Sequence, residues 1–152
     1  MTNLIIEFLA SFLIWFMFTG LFVLWIIDGK IKKEQVLHAL IAVSLVFIIS
    51  ELLKALFPTL RPFSINGRHP LVFWIENDGA FPSSHTALAF ALATTIWLHD
   101  RKVGWIYMVG ALVIGVARVL ANVHFPRDIF AGAVLGIVVS FLVEKLHVRL
   151  KA

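Results

Sequence analysis

The 152-residue chain contains no cysteine. That excludes disulfides, a thiolate nucleophile and any cysteine-ligated metal. Charge is scarce as well: 14% of residues are Asp, Glu, Lys or Arg, against 61% hydrophobic. Such a composition does not suit a soluble domain. Period-2 alternation is missing, which argues against a transmembrane barrel. The net charge of +4 is too diffuse for nucleic-acid binding and reads instead as membrane topology and attraction to anionic headgroups. No Lys or Arg precedes the first apolar run, which is also too long for a signal-peptide core. That run is expected to be a retained span.

What the chain does have is apolar length. Five segments stand out, roughly Leu4–Ile27, Val36–Phe57, Ser84–Leu98, Val103–Ala121 and Ile129–Val143. Crossing the hydrocarbon core takes about 20 helical residues, so the third is marginal unless helix continues into its flanks. Only helices and closed barrels satisfy the backbone inside lipid, so the expected fold is an all-α, polytopic transmembrane bundle of about five spans. The expected organisation is one membrane-embedded domain over residues 1–152. The longest polar connection is Pro58–Phe81, broken up by Pro58, Pro62, Asn66, Gly67, Pro70 and Gly79. No internal repeat or low-complexity tract is apparent.

Orientation follows from the cations. Lys30, Lys32, Lys33, Arg101, Lys102, Lys145, Arg149 and Lys151 share one side of a five-span bundle, which should be cytoplasmic. Lys54, Arg61, Arg68, Arg118 and Arg127 fall on the other. The expected topology is N-terminus out and C-terminus in.

Three polar clusters interrupt the apolar pattern. The first is Lys54, Arg61 and Pro62, closing the second segment. The second is Pro82-Ser83-Ser84-His85, opening the third. The third is Arg118, His124 and Asp128, across the junction of the fourth and fifth. In a five-span topology all three lie at the outer face. Clustered cations near hydrocarbon repel one another, and an anion between them removes that cost. Guanidinium matches phosphate oxygens bidentately, and a helix start adds free N–H groups and a favourable dipole. The residues read as a phosphate cradle. Two histidines suit a nucleophile and an acid, and Asp128 is spaced to reach back to the His124 imidazole.

The spacings K-x6-R-P, P-S-x-H and R-x5-H-x3-D resemble the type-2 phosphatidic acid phosphatase superfamily. The motifs span Lys54 to Asp128, about half of the chain, and their order is more specific than any one part. The resemblance implies a membrane-lipid phosphatase in which His124 attacks phosphorus and forms a phosphohistidine. Asp128 would polarise His124, and His85 would protonate the leaving oxygen. Lys54, Arg61, Ser83 and Arg118 would hold the phosphoryl oxygens, helped by a backbone N–H near Ser84. It implies no metal and no other cofactor. Ser84 stands where the family often has Gly, and Ala117 where Ser is common. Larger members have six spans with the first motif closing the third; here it closes the second, so the expectation is one N-terminal helix fewer.

The short chain, outward-facing site and Arg61-Pro62-Phe63 with Phe81-Pro82 are similar to bacterial carrier-lipid phosphatases. The favoured substrate is therefore undecaprenyl diphosphate. Phosphatidic acid or phosphatidylglycerophosphate is the nearest alternative. Two other classes stay open: a metal-dependent hydrolase using His85, His124 and Asp128 as ligands, and a non-enzymatic transporter or binding protein for an anionic lipid. Oligomeric state is left open. Glu51 could pair with Lys54 one turn away or be a solvated helix-end charge. Arg127 reads as a headgroup contact. His38, His69, His99 and His147 read as interfacial or loop residues, and Trp15, Trp25, Trp74, Trp97 and Trp105 as an interfacial belt.

Overall fold

Each apolar stretch becomes helix. The computed structural model of the protein describes residues 2–27 and 33–151. In chain order it has α1 (Thr2–Ser11), α2 (Leu13–Ile27), α3 (Lys33–Leu56), the short α4 (Pro62–Asn66), α5 (Ser84–His99), α6 (Arg101–Leu120) and α7 (Pro126–Lys151). No strand occurs among the described residues. Lys30 and Lys32 lie outside the described residues, as do the side chains of Lys33, His147, Arg149 and Lys151.

Three stretches are long and apolar enough to cross a membrane: Gln35–Leu56, Arg101–Leu120 and Pro126–Leu146. α1 and α2 qualify together as a bent pair. The chain is an all-helical, multi-pass membrane protein. Its outward surface agrees: Ile106, Val109, Leu112, Val116 and Leu120 lie exposed along one face of α6, as do Leu45, Phe47, Ile48 and Leu52 on α3. In lipid, such a surface faces its own kind of solvent.

Two elements differ from the sequence expectation. The first stretch is not one straight span but breaks at Phe12, with 50° between Asn3–Ser11 and Leu13–Val23. Groups from distant segments insert at the break. The Ser11 hydroxyl accepts the Phe73 N–H at 3.0 Å, and Arg118 Nη1 donates to the Ala10 carbonyl at 3.4 Å. Polar partners inserted into a helix ladder are a recognised cause of kinks.

The third stretch does not extend into its flanks. α5 has 16 residues, about 24 Å at 1.5 Å per residue, short of the ~30 Å hydrocarbon core. At its end Asp100 caps α6, its carboxylate accepting from the backbone N–H groups of Lys102 and Val103 at 2.8 and 3.1 Å. This turns the chain instead of prolonging the helix. The shortness suits its place, because α5 is the axis of the bundle, packed on α2, α3, α6 and α7. Its buried residues are mostly small, including Ala87, Ala89, Ala91, Ala93, Thr94 and Thr95.

α7 meets α5 through Gly132, Gly136 and Ser140, spaced one turn apart. A Cβ at Gly132 would lie 2.7 Å from the Ser83 carbonyl oxygen, and one at Gly136 would lie 2.4 Å from that of Ala87. The Ser140 hydroxyl lies 3.0 Å from the Ala91 carbonyl oxygen. Small residues at such spacing let membrane helices approach closely. Here they hold the start of α5 against the start of α7.

The connection after α3 is ordered. α4 begins with Pro62 at its first position and ends at Gly67, whose φ of 67° is left-handed. Backbone hydrogen bonds fasten the segment to the end of α6, Phe63 N–H to Asn122 O at 3.2 Å and Leu71 N–H to Ala121 O at 2.9 Å, and tie its own two ends together, Ala80 N–H to Thr59 O at 3.0 Å.

Candidate active site

The helix ends collect the three motifs at one end of the bundle. Lys54 sits in the last turn of α3, Arg61 immediately precedes α4, and Ser83 and His85 flank the start of α5. Arg118 lies in the last turn of α6 and Asp128 in the first turn of α7, with His124 between those helices. Lys54, Arg61, Arg118, His124 and Asp128 are all buried. The His85 side chain keeps a quarter of its surface exposed.

His124 is the hub. Its Nδ1 donates to the Ala80 carbonyl at 2.9 Å. That fixes the ring proton on Nδ1 and leaves Nε2 as an acceptor. Arg118 Nη2 lies 3.2 Å from Nε2, and Arg61 Nη1 lies 3.4 Å from it. The unprotonated nitrogen therefore faces two guanidinium groups. Burial, reinforced by the charges of Arg118 and Arg61 and opposed by Asp128, pushes the His124 pKa down to about 4. The ring is neutral at neutral pH.

Asp128 is less direct than its spacing promised. Its Oδ2 lies 3.8 Å from His124 Nδ1, beyond hydrogen-bonding reach. The same oxygen accepts the Phe125 N–H at 2.8 Å, an N3 side chain reaching back to the cap residue. Asp128 thus holds the start of α7 and places a negative charge beside the imidazole. The tautomer is set by the Ala80 carbonyl.

Glu76 and Asp78 were missed in the sequence reading. Glu76 Oε2 accepts from Arg61 Nη2 and Arg118 Nη2, each at 2.8 Å, and its Oε1 lies 3.5 Å from His85 Nδ1. Asp78 bridges Lys54 Nζ and Arg61 Nη2, both at 2.5 Å. Burial would raise the Glu76 pKa, but the charges of Arg118, His85 and Arg61 outweigh it and hold it at about 2. For Asp78, burial is likewise outweighed by the hydrogen bonds and charges of Lys54 and Arg61, and its pKa is lowered. The signal was available: buried cations need counter-charges, and these are the only acids in the Pro58–Phe81 connection.

The two departures from the motif pattern have local explanations. The Ser84 hydroxyl donates to Glu51 Oε1 at 3.1 Å, and the same oxygen accepts from Lys54 Nζ at 3.0 Å. Of the two readings left open for Glu51, the pair with Lys54 is the one present, and Ser84 steadies it. Ala117 packs with Ala10, Val72, Ala121 and Val123, an apolar setting that needs no hydroxyl. Ser83 does not touch the cations: its hydroxyl accepts from Thr86 Oγ1 at 3.1 Å, and its N–H donates to the Asp128 carbonyl at 3.1 Å. Arg127 is exposed beside Asp128 and lies over the Phe125 ring.

A cavity of about 340 Å³ opens onto the cluster between α2, α3 and α5. One wall is apolar, formed by Ile14, Trp15, Phe18, Phe47 and Leu88, and the other end carries Lys54, Glu76, Ser84 and His85. Such a cavity fits a ligand with an apolar tail and an anionic head. His85, His124 and Asp128 do not converge as a metal-ligand set. Among the described residues, the group of three whose ligand atoms lie within 4.8 Å of one another is His38, His99 and Glu144.

Known proteins are similar to this chain in sequence and fold. The bacitracin transport permease protein BcrC of Bacillus licheniformis is 32% identical over 143 residues, covering 94% of this chain and 70% of that protein. Undecaprenyl-diphosphatase BcrC of Bacillus subtilis (strain 168) is 29% identical over 122 residues, covering 80% of this chain and 63% of its own length. The crystal structure of Aquifex aeolicus LpxE superposes with a TM-score of 0.77 at 29% identity, over 95% of this chain and 84% of that one. The PAP2 superfamily model matches residues 35–151, every motif residue included. The chain belongs to the PAP2 superfamily.

Proposed function

We propose that the chain hydrolyses the diphosphate of a polyprenyl carrier lipid, with undecaprenyl diphosphate as the leading substrate, through a phosphohistidine on His124. The class is that of its family, a membrane lipid phosphatase. The observation that carries the mechanism is the His124 geometry: Nδ1–H held by the Ala80 carbonyl, Nε2 facing Arg61 and Arg118. A phosphoryl group gripped by those guanidiniums presents its phosphorus to Nε2. The N–P bond forms as the P–O bond to the leaving group breaks, and His85 gives that oxygen its proton. Water then attacks the phosphohistidine, His85 takes the water's proton, and inorganic phosphate and neutral His124 are regenerated. The arginines and Lys54 meet the charge on the equatorial oxygens, and Asp128 stabilises the cationic ring.

The lipid tail lies along the apolar wall of the cavity, entering sideways between α2 and α3. A relative named as an undecaprenyl-diphosphatase supports the substrate. Another, named as a transport permease, raises a carrier reading. A buried neutral imidazole aimed at two guanidiniums serves chemistry and is superfluous to a carrier. The experiment is a phosphate-release panel on the purified protein with undecaprenyl diphosphate, undecaprenyl phosphate, phosphatidic acid and phosphatidylglycerophosphate. The diphosphate should turn over fastest. Equal or faster release from a glycerophospholipid would reassign the substrate, and no release from any would overturn the enzymatic reading.

The active site is proposed to face outward, since Arg101, Lys102 and Lys145 lie at the opposite end of the bundle. With no native cysteine, single cysteines at exposed Arg68 and Lys102 report orientation cleanly. An impermeant thiol reagent on intact cells should label Arg68→Cys and spare Lys102→Cys. The reverse pattern would invert the topology.

A further inference from the structure

At the end of the bundle opposite the active site, three helices bring two histidines and a glutamate together. His38 comes from the second turn of α3, His99 ends α5, and Glu144 lies on α7. Local spacing had suggested interfacial or loop roles for both histidines, but the fold unites them. His38 Nδ1 is 3.1 Å from Glu144 Oε2, and His99 Nε2 is 3.3 Å from the same oxygen. The imidazole rings are 5.8 Å apart between centroids. His38 is buried and the other two are half-buried.

We propose that His38, His99 and Glu144 form a binding site for a first-row divalent metal ion, zinc above all. Two features carry this beyond an ordinary ion pair. One nitrogen of each imidazole lies within 3.3 Å of the same carboxylate oxygen, and one ligand atom from each of the three residues lies within 4.8 Å of the other two. Zinc bonds of about 2.0–2.1 Å arranged tetrahedrally put neighbouring ligand atoms about 3.3–3.4 Å apart. The two edges, 3.1 and 3.3 Å, nearly match that spacing, and the longer one exceeds an ordinary N–H···O bond. A set of two imidazoles and a carboxylate suits zinc better than magnesium or calcium. A small cavity lined by Leu21, Gln35, Thr95, Ile96, His99 and Asp100 adjoins His99.

The site's helices point to its role. α3, α5 and α7 carry Lys54, His85 and Asp128 at their other ends, about 20 Å away along α5 at 1.5 Å per residue. An ion here clamps the far ends of the helices that frame the active site. It stands apart from the chemistry, so the proposal does not depend on the substrate or on the phosphohistidine.

The test uses the full-length, tag-free protein in detergent, treated with EDTA and dialysed. Zinc titration by calorimetry should show one equivalent bound with micromolar or tighter affinity. Cobalt should give the intense visible absorption of a tetrahedral site. Zinc should raise the melting temperature by several degrees, because an ion that binds only the folded state stabilises it by mass action. His38→Ala and Glu144→Gln should each weaken zinc binding at least 100-fold, while a His85→Ala/His124→Ala double variant keeps wild-type affinity. If the variants fail to fold, wild type alone decides the question. Zinc should then protect His38 and His99 from diethyl pyrocarbonate, read by peptide mass spectrometry. Absence of a saturable equivalent, absence of protection, or loss of binding in the His85/His124 variant would each overturn the proposal. The last result would instead move the ion to the active site.

Discussion

His124→Ala should abolish phosphate release, lowering kcat by at least about a thousandfold, while lipid binding changes little. The substitution removes Nε2 but leaves Lys54, Arg61 and Arg118, and those cations supply the attraction for the head group. The loss should therefore appear in kcat and not in affinity for a non-hydrolysable lipid phosphonate. Wild type, quenched within the first turnover with labelled substrate, should carry acid-labile, base-stable phosphate on protein, and the variant should carry none. The acid limb has a defined sign. The nucleophile must be neutral, and burial beside two guanidiniums holds its pKa at about 4. On that account activity falls only as pH drops through about 4, well below the ordinary imidazole value of 6.5. Binding of the anionic head adds negative charge and moves this limb upward in the substrate complex. Near-wild-type turnover by His124→Ala, with no phosphoprotein in wild type, would remove the nucleophile assignment.

The parts of the site that were legible in the sequence sit at helix ends. A cation or histidine that interrupts an apolar run is conspicuous, and the order of the runs puts those interruptions at one level. The parts that were not legible depend on partners far away in the chain. The tautomer of His124 rests on the Ala80 carbonyl, and a backbone carbonyl leaves no mark in a sequence. Its apparent partner, Asp128, has the right spacing but spends its oxygen on the Phe125 N–H. The break at Phe12 depends on Phe73 and Arg118, which no local pattern connects to it. α5 reads as a marginal span because its length falls short, yet its small side chains make it the most enclosed helix. The His38, His99 and Glu144 cluster needs three helices in register before it exists at all. Periodicity finds helices, but it does not find what their ends share.

Glu76→Gln should tighten inhibition by inorganic phosphate at least tenfold and make the protein's stability depend on phosphate. Glu76 Oε2 sits 2.8 Å from Nη2 of both Arg61 and Arg118, and that Arg118 nitrogen is also 3.2 Å from His124 Nε2. A phosphoryl group reaching Nε2 must take those donors from the carboxylate. With a pKa of about 2, Glu76 does not yield by protonating, so anions compete with a full charge at every working pH. Glutamine keeps the shape and one acceptor oxygen but drops the charge, and the competition weakens. The same change exposes what Glu76 contributes to folding. Removing one partner from a buried charge cluster costs about 3–5 kcal/mol when nothing replaces it, and the retained amide oxygen should limit the loss to the lower part of that range. The melting temperature should fall in phosphate-free buffer and recover as phosphate is added, because the anion restores the counter-charge. The pH dependence supplies an independent check. A carboxylate whose folded pKa is depressed from 4.5 to about 2 gives stability that is complete above about pH 4.5 and lost as pH falls toward 2. Wild type should lose that increment across the interval, and the variant should not. If phosphate inhibits both proteins equally and the variant's melting temperature ignores phosphate, Glu76 does not occupy the anion's place. The arginines must then receive the phosphoryl group through their other nitrogens.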